Sequence, residues 1–318
     1  MNLKSLLSKS ILELKKSGVP TPEIDAKVLL IHSIEKDASF VYSHPDCLVT
    51  NAQYERFRRY IRRRKKGEPI AYITSHKEFY GYDFFVNKNV LIPRPESEWL
   101  VDAGILFLRN YELGIMNQAE HNINILDMGT GSGCLAISLS KSIHDSKFMI
   151  HNSTIQIWAT DLNSRAVAVA KKNSCKNNVE NITFLNSNLF GNQKIKNKIF
   201  DLIIANLPYV PRNKKVVSLA CRQAGCQLSA LPAGRQVVRS IDFEPQDAIF
   251  SDDNGTAIIK KFLTEAKSHT KSGSMILIEL DSRNANDILK FAQALYPTAM
   301  VSLQKDLASL NRYLTIAL

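Results

Sequence analysis

The sequence predicts an α/β protein, a parallel sheet covered by helices on both faces, preceded by a small helical domain and a β-hairpin linker. Three observations predict it. Residues 1–72 read as helices, the stretch 76–92 is aromatic and β-branched, and strands then alternate with helices to the last residue. A chain of 318 residues holds one large domain or two ordinary ones, at roughly 100–200 residues each. Apolar residues at 45% and charged residues at 22% exclude disordered and fibrous classes.

In the N-terminal stretch Leu3, Leu6, Leu7, Ile11 and Leu14 recur at helical spacing. Lys4 and Lys9 interrupt it, so no export signal is read, and no apolar run reaches the roughly 18 residues of a membrane span. The expected compartment is the cytoplasm, with no membrane attachment. Thr21-Pro22-Glu23 starts a helix, with Thr21 as N-cap, and Ile24, Val28, Leu29 and Ile31 as its buried face. Another helix runs from Asn51 to Lys66, with Phe57, Tyr60 and Ile61 as its apolar stripe, and stops at Gly67 before Glu68-Pro69. Between Arg56 and Lys66 that helix carries eight cations and no acid. Lys+Arg exceed Asp+Glu by 41 − 30 = 11, a balance that suits proximity to the ribosome or RNA. A solvated helix face is the plainer reading of such a run.

HKEFYGYDFFVNKNVLI, with Gly81 and Asn87–Asn89 as turn signals, reads as a β-hairpin linker. The expected organisation is therefore a helical domain at 1–72, a linker at 73–95 and an α/β domain at 96–318. Strand candidates follow at INILDM, TIQIWATD, ITFLNS, FDLIIAN, SMILIEL and the terminal RYLTIAL. Residues 216–239 carry Arg-Gln-Ala-Gly and Ala-Gly-Arg-Gln, swapped dipeptides that read as a disordered insertion rather than a lid. Five scattered cysteines (Cys47, Cys134, Cys175, Cys221, Cys226) and seven histidines without a ligand cluster point to neither disulfides nor a metal centre.

The chemistry concentrates at three strand ends. Asp127 closes INILDM and leads into Gly129-Thr130-Gly131-Ser132-Gly133 before a helix opens. Bare backbone in such a turn lets a ligand approach closely. The GxGxG spacing is neither the dinucleotide fingerprint GxGxxG nor a P-loop, and the short form beginning with an acid suits S-adenosylmethionine. An ordinary tight turn is the competing reading. Asp161 ends the next strand, where a carboxylate accepts from two ribose hydroxyls, although alone it reads equally as the N-cap of the following helix. FDLIIAN runs into Asn206-Leu207-Pro208-Tyr209. The Asn206 side-chain oxygen and the Leu207 carbonyl both accept from one planar NH₂ group, and Tyr209 offers a face for stacking. Two acceptors orient a poorly nucleophilic nitrogen toward a methyl donor without a strong base. An Asn-Pro turn that merely ends a strand is the alternative.

GEPIAYITSHKEFYGYDFFV followed by LIPRPESEWLV, with the glycine turn and Asn-x-Pro-Tyr, resembles the HemK/PrmC glutamine methyltransferases, from the helical region through Leu318 apart from the insertion. The resemblance implies a Rossmann-like S-adenosylmethionine-dependent methyltransferase sheet. It implies transfer to the side-chain amide nitrogen (N5) of the glutamine in the Gly-Gly-Gln motif of class-1 peptide chain release factors. A monomer is expected. By motif it places Asp127, Gly129, Thr130, Gly131, Ser132, Gly133, Asp161, Leu189 and Asn206 at the cofactor, and Asn206, Leu207, Pro208 and Tyr209 at the substrate amide and the chemistry. Arg94 and Glu96 would help close the site.

The chain departs from the family pattern at Leu207, where Pro is usual, at Asn188 for Asp, at Asp281 for Gly, and at Ser251-Asp252 for a Gly pair. Asn-Leu-Pro-Tyr also resembles ribosomal-RNA adenine dimethyltransferases. An adenine-N6 methyltransferase of RNA or DNA is therefore the rival reading, beside a glutamine methyltransferase of a ribosomal protein and a binding protein that has lost catalysis.

Overall fold

The computed structural model describes residues 1–115, 122–145, 154–211 and 240–318. The segment 216–239, expected to be an insertion, lies outside the described residues. The chain divides into two compact units, whose main segments are Met1–His76 and, for the second, 77–211 with 245–318.

The first unit is helical: α1 (Leu3–Lys16), α2 (Pro22–Ile34), α3 (Ala38–Ser43), α4 (Asn51–Lys65) and α5 (Ile70–Thr74). Its core gathers Leu3, Leu6, Leu14, Leu29, Leu30, Phe57 and Ile61. Thr50 and Gln53 form a reciprocal capping box that starts α4. Two expectations need correction. Thr21 stands at the N-cap of α2, but its hydroxyl donates to Asp25 Oδ1 at 2.9 Å and it caps no backbone N–H. The buried stripe of α2 is Asp25, Ala26, Leu29, Leu30, Ser33 and Ile34, whereas Ile24 and Val28 are exposed. A helix with apolar residues around most of its circumference does not reveal which stripe faces the core.

The basic run of α4 is largely neutralised within this unit. Arg58 pairs with Glu13 at 2.6 Å, Arg64 with Asp25 at 2.6 Å, Lys65 with Glu13 at 3.7 Å, Arg63 with Glu68, and Arg56 with Glu35. The Arg64–Asp25 pair is mostly buried, with 12% and 7% side-chain exposure, and Arg64 also donates to the Gly67 and Glu68 carbonyls that follow the helix. Breaking such a pair costs about 3–5 kcal/mol. Most of these cations therefore hold helices together.

The second unit opens with the hairpin β1 (Lys77–Phe79) and β2 (Tyr82–Phe84), turned by Tyr80 and Gly81, both at positive φ. After α6 (Glu98–Ile115) the sheet is built from β3 (Asn122–Met128), β4 (Thr154–Asp161), β5 (Ile182–Asn186) and β6 (Leu202–Ala205), with α7 (Cys134–Asp145) and α8 (Ser164–Lys176) between strands. A two-residue parallel pair, β7 (Val210–Pro211) and β8 (Phe250–Ser251), stands apart from it. The chain ends with α9 (Ala257–Ala266), β9 (Met275–Glu279), α10 (Ala285–Leu295), β10 (Met300–Lys305) and β11 (Asn311–Ala317). The strand order is β10-β11-β9-β6-β3-β4-β5.

From β9 to β5 every pairing is parallel, as expected, but β11 is antiparallel to both neighbours. The strand β10 was not expected. MVSLQK lies at the sheet edge, half-buried to exposed, so its sequence lacks a strong apolar period. Alternate strand residues feed two cores. Leu126, Met128, Ile203 and Ile276 pack with α9 and α10, while Ile123, Ile125, Ile204 and Leu277 pack with α6 and α7. Helices thus cover both faces, and among the described residues no helix is long and apolar enough to cross a membrane.

Candidate active site

Sheet register assembles the site. Thr160, Met128, Ala205 and Ile278 stand side by side on β4, β3, β6 and β9. The residues that follow them, Asp161, Gly129, Asn206 and Glu279, therefore reach the same carboxyl edge, where open α/β sheets bind ligands.

The turn after β3 keeps its glycines for definite reasons. Gly129, Gly131 and Gly133 have φ of 78°, 55° and 83°, the left-handed region. A Cβ on Gly133 would lie 2.9 Å from Ile137 Cδ1 and 3.1 Å from Ala170 Cβ, so this glycine lets α7 meet α8. A Cβ on Gly129 would lie 3.0 Å from Leu207 Cδ2, so the first glycine touches the other turn of the site. Asp161 braces the loop: Oδ2 accepts from Gly131 N at 2.9 Å and Oδ1 from Asn163 N at 2.8 Å. Asn163, not Asp161, caps α8. Asp127 is fully buried beneath the turn, where Oδ2 accepts from Thr130 Oγ1 at 2.6 Å and Ala136 N at 3.3 Å. Its Oδ1 has no partner among the described residues, and burial pushes its carboxyl up to about 7.

The turn after β6 is organised by a buried acid that sequence reasoning passed over. Glu279 is 1% exposed. Its Oε2 accepts from Asn206 Nδ2 at 2.9 Å and from Ser97 Oγ at 2.5 Å, and its Oε1 from the Tyr209 hydroxyl at 2.8 Å. Asn206 Nδ2 also donates to Ser97 Oγ at 2.8 Å. The amide nitrogen of Asn206 is thus committed, and no described residue donates to its Oδ1. Burial raises the Glu279 carboxyl, and burial with the adjacent Glu279 carboxylate raises the Tyr209 hydroxyl. The only sequence signal for Glu279 was an acid inside the apolar run MILIEL.

These elements line a cavity of about 520 Å³, in the range of small-molecule sites. Gly129, Thr130, Gly131, Ser132, Asp161, Leu189, Asn206, Leu207 and Pro208 face it, joined by Asn188, Leu162, Arg94 and Ser97. Asp127 and Gly133 do not line it and act from beneath. Tyr209 does not line it either, and its hydroxyl is turned to Glu279. The Glu96 carbonyl accepts from Tyr313, whose ring stacks on Trp99. Asn173 was not anticipated. Buried in α8, it bonds both the N–H and the carbonyl of Phe85 and the Ser132 carbonyl, tying the chain just after the hairpin to the glycine turn. Among the described residues no cluster fits a metal ion, and Cys47, Cys134 and Cys175 are free thiols.

Comparison with known proteins places this geometry. A PrmC N-terminal domain matches residues 5–74 and a methyltransferase domain matches 119–307. The release factor glutamine methyltransferase of Koribacter versatilis is 32% identical over 88% of this chain and 86% of its own length. The chain belongs to that family. The Buchnera aphidicola member is also 32% identical, over 88% of this chain and 85% of its own. A bifunctional methyltransferase of Rickettsia bellii is 30% identical across all of this chain, which spans only 55% of that longer relative. S-adenosylmethionine is the family's cofactor, and the residues present fit it. Bare glycine backbone, a carboxylate at the end of β4 and the apolar Leu162 and Leu189 line one cavity, where they would offer it donors, a ribose acceptor and an adenine contact.

Proposed function

We propose that the chain transfers the methyl group of S-adenosylmethionine to the side-chain amide nitrogen of the glutamine in the Gly-Gly-Gln motif of class-1 release factors. The observation that carries this reading is the fixed amide of Asn206, with Nδ2 held by Glu279 and Ser97 and Oδ1 left to accept. The Leu207 carbonyl has no donor among the described residues and supplies the second acceptor. Two acceptors suit one NH₂ group, held in the plane that points its nitrogen at an electrophile.

In this reading Gly129 to Ser132, Asp161 and Leu189 hold the cofactor, which supplies an electrophilic methyl on its sulfonium. Asp127 and Gly133 shape the turn, Asn206 to Pro208 grip the amide, and Tyr209 holds Glu279. A Leu at 207 keeps the accepting carbonyl, and its side chain closes over Gly129. Residues 1–72 recognise the protein substrate, 73–95 link, and 96–318 carry the chemistry. The enzyme works as a cytoplasmic monomer near the ribosome, with exposed Arg59, Arg62 and Lys66 as the cations outside the ion pairs described for α4.

The test is label transfer from methyl-labelled S-adenosylmethionine, offered a class-1 release factor, ribosomal proteins and ribosomal RNA separately. Label in the release factor alone is expected. Label in ribosomal RNA instead would replace this reading with the adenine one, and label in a ribosomal protein would move the substrate while keeping the chemistry.

A further inference from the structure

We propose that Glu279 is a positioning residue: as a carboxylate it accepts from Asn206, Ser97 and Tyr209 together, and so permits only the Asn206 rotamer that turns Oδ1 toward the substrate amide. The inference rests on the proposed amide methylation. An asparagine side chain is nearly symmetric in shape, and a flip of its amide exchanges an acceptor for a donor. A flipped Asn206 would present NH₂ to the substrate NH₂, and the two-acceptor grip would be lost. It would also set Oδ1 against the Glu279 carboxylate, which has only lone pairs to offer.

The carboxylate is bonded from two directions, and a third element stands beside it. Ser97 comes from the turn before α6, Asn206 and Tyr209 from the loop after β6, and Tyr313 stands opposite Glu279 on β11. Arg312 on β11 favours the charged form of Glu279 and Glu96 opposes it, while Arg94 acts on Tyr209. Among the described residues the partners of the Glu279 carboxylate are an amide and two hydroxyls, with no cation bonded to it. A neutral Gln or protonated Glu at this position also has a donor, which the flipped amide would accept.

The decisive variant is Glu279→Gln, the same shape without the charge. Turnover on the release factor is expected to fall about tenfold to a hundredfold, the span of a hydrogen bond to a charged group. The dissociation constant for S-adenosylmethionine should stay within about threefold. In an Asn206→Ala background the same change should add no further loss, because no amide is left to orient. Ser97→Ala, which removes one acceptor of Asn206 Nδ2 and keeps the carboxylate, should lower turnover several-fold and guards against misfolding of the first variant. The Asn206 side-chain NH₂ gives a substrate-free readout by NMR: slow solvent exchange in the wild type and fast exchange in Glu279→Gln. Wild-type turnover retained in Glu279→Gln, additive losses in the double variant, or unchanged exchange would overturn the inference. A wild type that leaves the release factor unlabelled, yet shows the exchange difference, would overturn the proposed substrate and keep the positioning role.

Discussion

The turns after β3 and β6 leave neighbouring strands at the same register and solve opposite problems. The first offers ligand-facing backbone, cleared by glycines at positive φ and braced by acids below and beside it. The second offers side chain and carbonyl, oriented by an acid from a third strand. Where backbone reads the ligand, orientation comes from the fold of the turn itself. Where an amide reads it, shape alone is insufficient, and a buried charge is kept to choose between two near-identical rotamers. The contact of Leu207 with Gly129 joins the two, so under the proposed function methyl donor and acceptor would be gripped by parts that touch.

This division of labour can be broken from either side. The largest effect is expected for Asn206→Ala: turnover about a hundredfold lower or more, with cofactor affinity within about threefold, as for loss of a preorganised polar contact to reacting atoms. Single-turnover rates and titration calorimetry check it, and an equal fall in both would dissolve the distinction. Asp161→Ala should do the reverse, weakening S-adenosylmethionine about tenfold to a hundredfold through lost charged hydrogen bonds, with a smaller change in saturated turnover. The smallest effect sharpens the role of Asp127. Its folded value of about 7 lies above the ordinary 3.8, so its favourable contribution is complete below about pH 4 and is lost as pH rises toward 7. Asp127→Asn keeps an oxygen for Thr130 and Ala136 and removes the charge. Melting temperatures from pH 5 to 8 should therefore fall less steeply in the variant, and parallel slopes would show that the folded carboxyl is ionised throughout that range, as it is in the unfolded chain.

The legibility of the molecule followed the locality of its signals. The glycine turn, the Asn206 turn and Asp161 were readable because each is a few residues at a strand end. Glu279 was not, because its role depends on β9 pairing beside β6 and on Ser97 arriving from 182 residues away in sequence. Asn173 escaped for the same reason: its partners are Phe85 and Ser132. The face of α2 is not legible because Ile24 and Val28 are as apolar as Leu29 and Leu30, while the buried stripe also takes in Asp25, paired with Arg64, and Ser33. The basic run of α4 was readable as charge, but its pairing with Glu13, Asp25, Glu35 and Glu68 needed the folded unit.

The central claim is that the site reads an NH₂ group on a planar amide. The most direct measurement offers labelled S-adenosylmethionine to a release factor bearing Gly-Gly-Gln and to the same protein with that Gln→Glu, a change of one NH₂ for one oxygen. Label in the first and none in the second is the result the two-acceptor geometry requires. Equal label in both would mean that methyl transfer goes elsewhere and that Asn206 and Leu207 do not grip the acceptor.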